Sequence, residues 1–194
     1  MTTRDKIKAV AMTHFAKGGY EGTPLSAITK EVGVTTPAVY AFFGSKEELF
    51  LSIFEDVLKN HYHSVKEAIE EAKSGTVEQR LYQILRGAFT YHVSHEEETI
   101  FYKRAMMFPP AALEDKLKER FGETEGMLTG EILALLTEGI ETGVIDNRPI
   151  EDLLDGFLCL MDGLFLQMFY YDEKKYEQKL RNIWKLFWSG VAGS

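Results

Sequence analysis

Residues 33–50, GVTTPAVYAFFGSKEELF, gather two threonines, a proline, a tyrosine and a lysine in one short stretch. Thr35 and Thr36 each carry a hydroxyl for a base edge or a phosphate and a methyl for thymine's methyl. Pro37 and Ala38 are small enough for a backbone to approach bases. Tyr40 lies one helical turn further on, where its phenol can reach a phosphate, and phosphate contacts fix register. Lys46 stands at a helix start, where its charge and free backbone N–H groups both favour a phosphate. The bland alternative is a corner of a helical bundle. Val39 and Phe43, four apart, fit that description: they share one face and must pack inward. Phe42 stays undecided.

Other chemistries find little support. His61 and His63 are two apart, poor spacing for one helix face, whereas His92 and His95 are three apart and can share a metal. No cysteine accompanies either pair, and H-E-x-x-H, G-x-S-x-G, the P-loop and G-x-G-x-x-G are all missing from the sequence. We therefore expect no catalytic residues, no metal site and no cofactor, and read the chain as not an enzyme. Cys159, the one cysteine, lies in an apolar run and reads as a buried, inert thiol in a reducing compartment.

The elements that position these residues are helical. Apolar residues recur at helical period throughout, and no segment alternates at period two. Ile7, Val10, Ala11, His14 and Phe15 predict an amphipathic helix over about 4–17, ended by Gly18-Gly19. Thr23 can N-cap a second helix over about 24–32, with Pro24 in its first position. Gly33 breaks it. Thr35 or Thr36 caps a short third helix before Gly44, and Ser45-Lys46-Glu47-Glu48 is a capping box for a fourth that continues to about residue 72. Further helices are predicted over about 76–95, 97–107, 110–142, 149–171 and 173–191, with a bend in the third of these near Gly122 or Gly126. The fold class is all-α: an N-terminal three-helix helix-turn-helix domain, residues 1–48, joined by a long helix to a larger C-terminal helical domain, residues 49–194.

Charge follows that division. The 194 residues sum to −8, which argues against nucleic acid as a partner, yet residues 1–50 hold six Lys/Arg against five Asp/Glu, so the negative charge belongs to the rest. Hydrophobic content of 45% with 27% charged residues predicts a globular chain. The greasiest run, 156–171, is short of the roughly 20 residues a membrane span needs, and Asp162 and Gln167 interrupt it. No secretory signal opens the sequence. A soluble, cytoplasmic protein with no membrane contact is expected.

From Ile7 to about Glu55 the chain resembles the N-terminal domain of the tetracycline-repressor (TetR) family of bacterial transcription regulators. The residues that carry the likeness are Phe15 and Gly19-Tyr20, Thr23, Ile28, Gly33-Val34, Ala38-Val39-Tyr40, Phe43 and Gly44-Ser45-Lys46-Glu47-Glu48-Leu49. The resemblance implies DNA contacts at Thr23, Ser26, Thr35, Thr36, Pro37, Ala38, Tyr40 and Lys46. Many members have arginine where this chain has Ser26 and histidine where it has Phe42. Both departures remove phosphate contacts, which Arg4, Lys6 and Lys30 can offset.

The resemblance also implies a homodimer on a palindromic double-stranded operator, paired through the last two helices. Candidate interface residues are Leu160, Leu164, Met168, Leu180, Ile183, Trp184 and Phe187; their alternative is ordinary core within one chain. A small hydrophobic or aromatic effector is the implied ligand. FYKRAMMFPP, 101–110, crowds aromatics and methionines, which suit adaptable surfaces. Phe89, Phe101, Tyr102, Met106, Phe108, Phe121, Met127, Met161 and Phe165 are the candidate pocket, with core packing as the alternative for each. Asp162 is either a cation-recognising carboxylate or a local capping group. The function implied is a ligand-responsive repressor, its regulon concerned with drug efflux or lipids. The rival is a helical ligand-binding or scaffold protein that no longer reads DNA.

Overall fold

Glycines punctuate this chain where helices must stop. In the computed structural model, which describes residues 2–193, Gly19, Gly33, Gly44 and Gly143 have φ between 67° and 80°. A side chain is strained there, so each ends a helix where Gly loses least. Among the described residues nine helices result. They are α1 Thr3–Gly18, α2 Leu25–Val32, α3 Thr36–Phe43, α4 Lys46–Glu71 and α5 Val77–Ser94, then α6 Glu96–Met107, α7 Glu114–Glu141, α8 Ile150–Gln167 and α9 Glu173–Val191.

Most boundaries lie within a residue or two of those the periodicity predicts. Two differ more. Residues 111–113 form a turn, so α7 begins at Glu114, and it runs without interruption through Gly122 and Gly126. α8 ends at Gln167 because residues 168–170 tighten into a turn, with Phe169 and Tyr170 donating backbone N–H bonds three residues back. Local capping explains several starts. Thr2 and Asp5 form a reciprocal capping box on α1, and Thr76 with Gln79 does the same for α5. At Ser45 half the expected box is present: its hydroxyl accepts the Glu48 N–H at 3.0 Å.

The chain divides into two compact units. One is Met1–His63 with Tyr91–Glu125; the other is Ser64–Thr90 with Gly126–Ser194. Packing therefore divides the chain elsewhere than at residue 48, since α1 packs extensively on α6. The first unit's core is aromatic. Phe15, fully buried, meets Phe50 edge-on at 5.0 Å and Phe101 at 6.5 Å. Ile7, Ala11, Ile28, Val39, Phe43 and Leu49 complete the packing of α1–α3 on α4.

In the second unit Leu81, Ile84, Ile132, Leu136, Leu153 and Phe157 are buried. Gly87 lets α5 cross α4 closely: a Cβ there would lie 2.8 Å from the Cβ of Ala68. The end of α9 is tied to the α7–α8 loop by an isolated bridge between Ile145 and Ala192 and by the Asp146 N–H donating to the Val191 carbonyl at 2.9 Å. No described helix is long and apolar enough to cross a membrane.

Candidate nucleic-acid interface and effector body

The turn between α2 and α3 is three residues long. Gly33, at φ 80° and ψ 32°, is left-handed, and the N–H groups of Gly33 and Val34 both bond to the Thr29 carbonyl at 3.0 Å. That double closure turns the chain sharply into α3. Val39 and Phe43 are the buried residues of α3 and hold it against the unit's core. The opposite face is left to solvent: Thr35, Pro37, Ala41 and Phe42 are exposed, and Tyr40 is 47% exposed. Thr35 occupies the N-cap position without a side-chain bond to the helix, so its hydroxyl is not used there. Ser26 is exposed on α2, and Thr36 and Ala38 are partly so. Seven of the eight implied contact residues thus reach at least partly to the surface.

Thr23 does not. It is 2% exposed, and its hydroxyl donates toward the carbonyls of His14, at 3.0 Å, and Gly19, at 2.8 Å. Pro24 takes the N-cap position instead. The threonine locks the α1–α2 corner from inside, so its side chain neither caps α2 nor offers a group to DNA. Lys46 reaches the surface in part, with its ammonium 4.4 Å from the Tyr20 ring centre. Burial lowers its pKa, opposed by Glu21. Arg4 lies over the Phe43 ring at 4.9 Å. Aromatic faces thus hold two of the cations near α3.

The nine candidate pocket residues are shared between the units. Phe101, Tyr102, Met106, Phe108 and Phe121 belong to the first; Phe89, Met127, Met161 and Phe165 to the second. Several are core or surface. Phe89 is buried and stacks on Tyr176 at 4.1 Å. Tyr102, Met106 and Phe121 pack, half-buried, on the first unit's core. Met127 and Phe108 are exposed. Only Phe101 and Phe108 of the set line a cavity of about 740 Å³ between α1 and α6.

His61, His92 and His95 gather around Tyr91. His92 is buried, with Nδ1 3.0 Å from the Thr99 hydroxyl, and its ring stacks on His61 at 4.9 Å. His95 is exposed and stacks on Tyr91. Burial drives the His61 pKa down to about 4 and that of His92 to about 3, the latter lowered further by the neighbouring His61 and His95. Both rings are neutral at pH 7. Tyr91 donates to the Glu98 carboxylate, with the Val57 carbonyl 3.2 Å from the same hydroxyl, and burial pushes its phenol up. Among the described residues no group of three or more His, Cys, Asp or Glu side chains is placed to hold a metal ion.

On the last two helices, Leu164, Leu180 and Trp184 are buried within the chain, 2–5% exposed. Their apolar period reflects intrachain packing, so they are not available to a partner. Leu160, Met168, Ile183 and Phe187 stay partly exposed, and Leu186, which periodicity alone did not mark, is 76% exposed. Cys159 is exposed on α8, contrary to the buried thiol its apolar neighbours suggest. Asp162 sits on the exposed side of α8, and partial burial raises its carboxyl pKa.

The geometry of α2 and α3 coincides with a sequence match. Residues 7–53 match the model of bacterial regulatory proteins of the tetR family. The chain therefore carries, over that segment, the N-terminal domain of a tetR-type DNA-binding transcriptional regulator. Relatives extend the likeness beyond the matched segment. The fatty acid metabolism regulator protein of Bacillus subtilis strain 168 is 25% identical over 140 residues, covering 72% of this chain and 69% of its own. The transcriptional repressor NicS of Pseudomonas putida is 28% identical over 143 residues, covering 73% of this chain and 63% of its own. Among solved structures, FadR of Bacillus subtilis in complex with stearoyl-CoA superposes with a TM-score of 0.78 at 20% identity, over 96% of this chain and 98% of that one. A tetR-family regulator from Shewanella sp. PV-4 gives 0.77 at 22% identity over all of both chains. These superpositions establish the all-α fold of the whole chain.

Proposed function

We propose that this regulator is a repressor that binds a palindromic operator as a homodimer in the cytoplasm and is released by a hydrophobic effector. The observation that carries the DNA half is the solvent-facing side of α3. Thr35, Pro37 and Tyr40 project from a short helix whose other face is locked in an aromatic core. Helix-turn-helix dimers place two such helices one DNA turn apart, ~34 Å, or a multiple of it. Ser26, Thr36, Ala38 and Lys46 complete the proposed contacts.

The effector half rests on the relatives. One is named for fatty acid metabolism and one solved structure holds stearoyl-CoA. A long-chain acyl thioester is therefore the effector class we propose. Release is a population shift. The effector binds the body more tightly in the arrangement that cannot span two half-sites, and the separation of the recognition helices changes. The test is operator-bound protein titrated with stearoyl-CoA and, separately, with free CoA. Release by the thioester alone supports the proposal. Persistence of the complex with both overturns the effector class, while leaving DNA binding intact.

A further inference from the structure

The cavity between α1 and α6 lies wholly within the first unit and outside the residues that face DNA. Its volume, about 740 Å³, falls in the range of small-molecule sites. Its floor is bare backbone. Gly18, Gly19 and Gly22 close α1 and its corner, and a Cβ on Gly19 would stand 2.8 Å from Nη1 of Arg104. A Cβ on Gly22 would stand 2.4 Å from the Gly18 carbonyl oxygen. Gly22 thus lets the corner close on itself, while Gly19, at φ 72°, leaves the Arg104 guanidinium room against the backbone. The walls are apolar: Phe15 and Phe50 from α1 and α4, Phe101 and Ile100 from α6.

The mouth has a different chemistry. Lys103 and Arg104 are adjacent on α6, against a single carboxylate, Glu21. Arg104 is exposed and forms no ion pair with any described residue. Beside it Phe108 is 76% exposed, followed by Pro109 and Pro110, which also line the cavity. A guanidinium presents a planar fork matched to a carboxylate. An apolar ring and a cation at the mouth of an apolar slot are complementary to one kind of molecule.

We propose that this cavity is a second ligand site, which takes an organic monocarboxylate with an aryl or alkyl body, the carboxylate on Arg104 and the body against the aromatic walls. Its occupant bridges α6 and the α1–α2 corner, both parts of the unit that carries α3. It does not depend on the acyl-thioester reading of the effector, and it is tested without DNA.

The test places a reporter at the mouth. In the F108W variant of the full chain, selectively excited indole fluorescence is compared with the parent, whose two tryptophans, Trp184 and Trp188, lie in the other unit. The probes are 4-phenylbutyrate and 4-phenylbutanol. The acid is expected to give a saturable change absent from the parent. Adding R104Q is expected to weaken it by roughly tenfold or more, as loss of one charge-assisted hydrogen bond requires. The alcohol is expected to bind weakly in both. Circular dichroism checks that each variant is folded. No saturable change with the acid overturns the site. Equal affinity for acid and alcohol, or an unchanged affinity in R104Q, overturns the assignment of the carboxylate to Arg104. Operator release by stearoyl-CoA, or its failure, bears on neither result.

Discussion

Tyr40 and Thr23 show how residue type and residue role separate. Both fall on positions that the family resemblance connects with DNA. Tyr40 is half out in solvent, whereas Thr23 is sealed in and bonded to two carbonyls. The Y40F/K46A double variant is expected to weaken operator binding by about 1.5–3 kcal/mol, the range for hydrogen bonds to charged groups. It should also flatten the salt slope by about one charge. Fluorescence anisotropy across a salt series measures both; unchanged affinity would sink the contact assignment. The stacked His61–His92 pair makes a prediction about pH. Both folded pKa values lie below the unfolded value near 6.5, so the unfolded chain binds more protons in between. Stability is complete above about pH 6.5 and falls as pH drops through the folded values near 4 and 3. The slope is about 1.4 kcal/mol per pH unit for each ring that titrates. Urea unfolding at pH 7, 5.5 and 4.5 checks it, and H61F should flatten the dependence relative to the parent.

The elements were the most legible feature of the sequence. Ile7, Ala11 and Phe15 at helical spacing marked α1, and Gly33 and Gly44 marked the ends of α2 and α3, because period and left-handed glycine are local signals. What remained hidden depends on which elements meet. Leu164, Leu180 and Trp184 have the same apolar period as a dimer face, and only the packing of the second unit assigns them to the interior. Cys159 sits among apolar neighbours and yet faces out. The α1–α6 cavity needs Gly19 and Arg104, 85 positions apart, to be brought together. Gly19 and the cation pair before Pro109-Pro110 are its traces in the sequence. The left-handed turn of the helix-turn-helix gives a direct prediction. G33A has open space for its Cβ but must adopt φ 80°. It should cost about 1–2 kcal/mol in urea melts, and a neutral result would contradict the turn geometry.

The whole molecule pairs a near-neutral DNA-facing part with an acidic body. That distribution lets an acidic protein approach a polyanion, since only the exposed side of α3 and its neighbours need come near. Dimerisation is the remaining requirement of the proposal. Ile183, Leu186 and Phe187 lie at i, i+3 and i+4 on α9 and share one face, with Leu186 largely exposed. L186E is expected to shift the sedimentation profile from dimer to monomer and to weaken operator binding with it. A dimer that survives the charge would place the interface elsewhere.

The most direct measurement of the central claim is binding of the purified protein to duplex from its own gene's upstream region, over a salt series, with nonspecific duplex alongside. Tight, sequence-selective binding that weakens steeply with salt and is weaker in Y40F/K46A is the expected result. Binding no stronger than to the nonspecific duplex, there and across genome-wide selection of bound fragments, would contradict it and favour a helical ligand-binding protein whose helix-turn-helix no longer reads DNA.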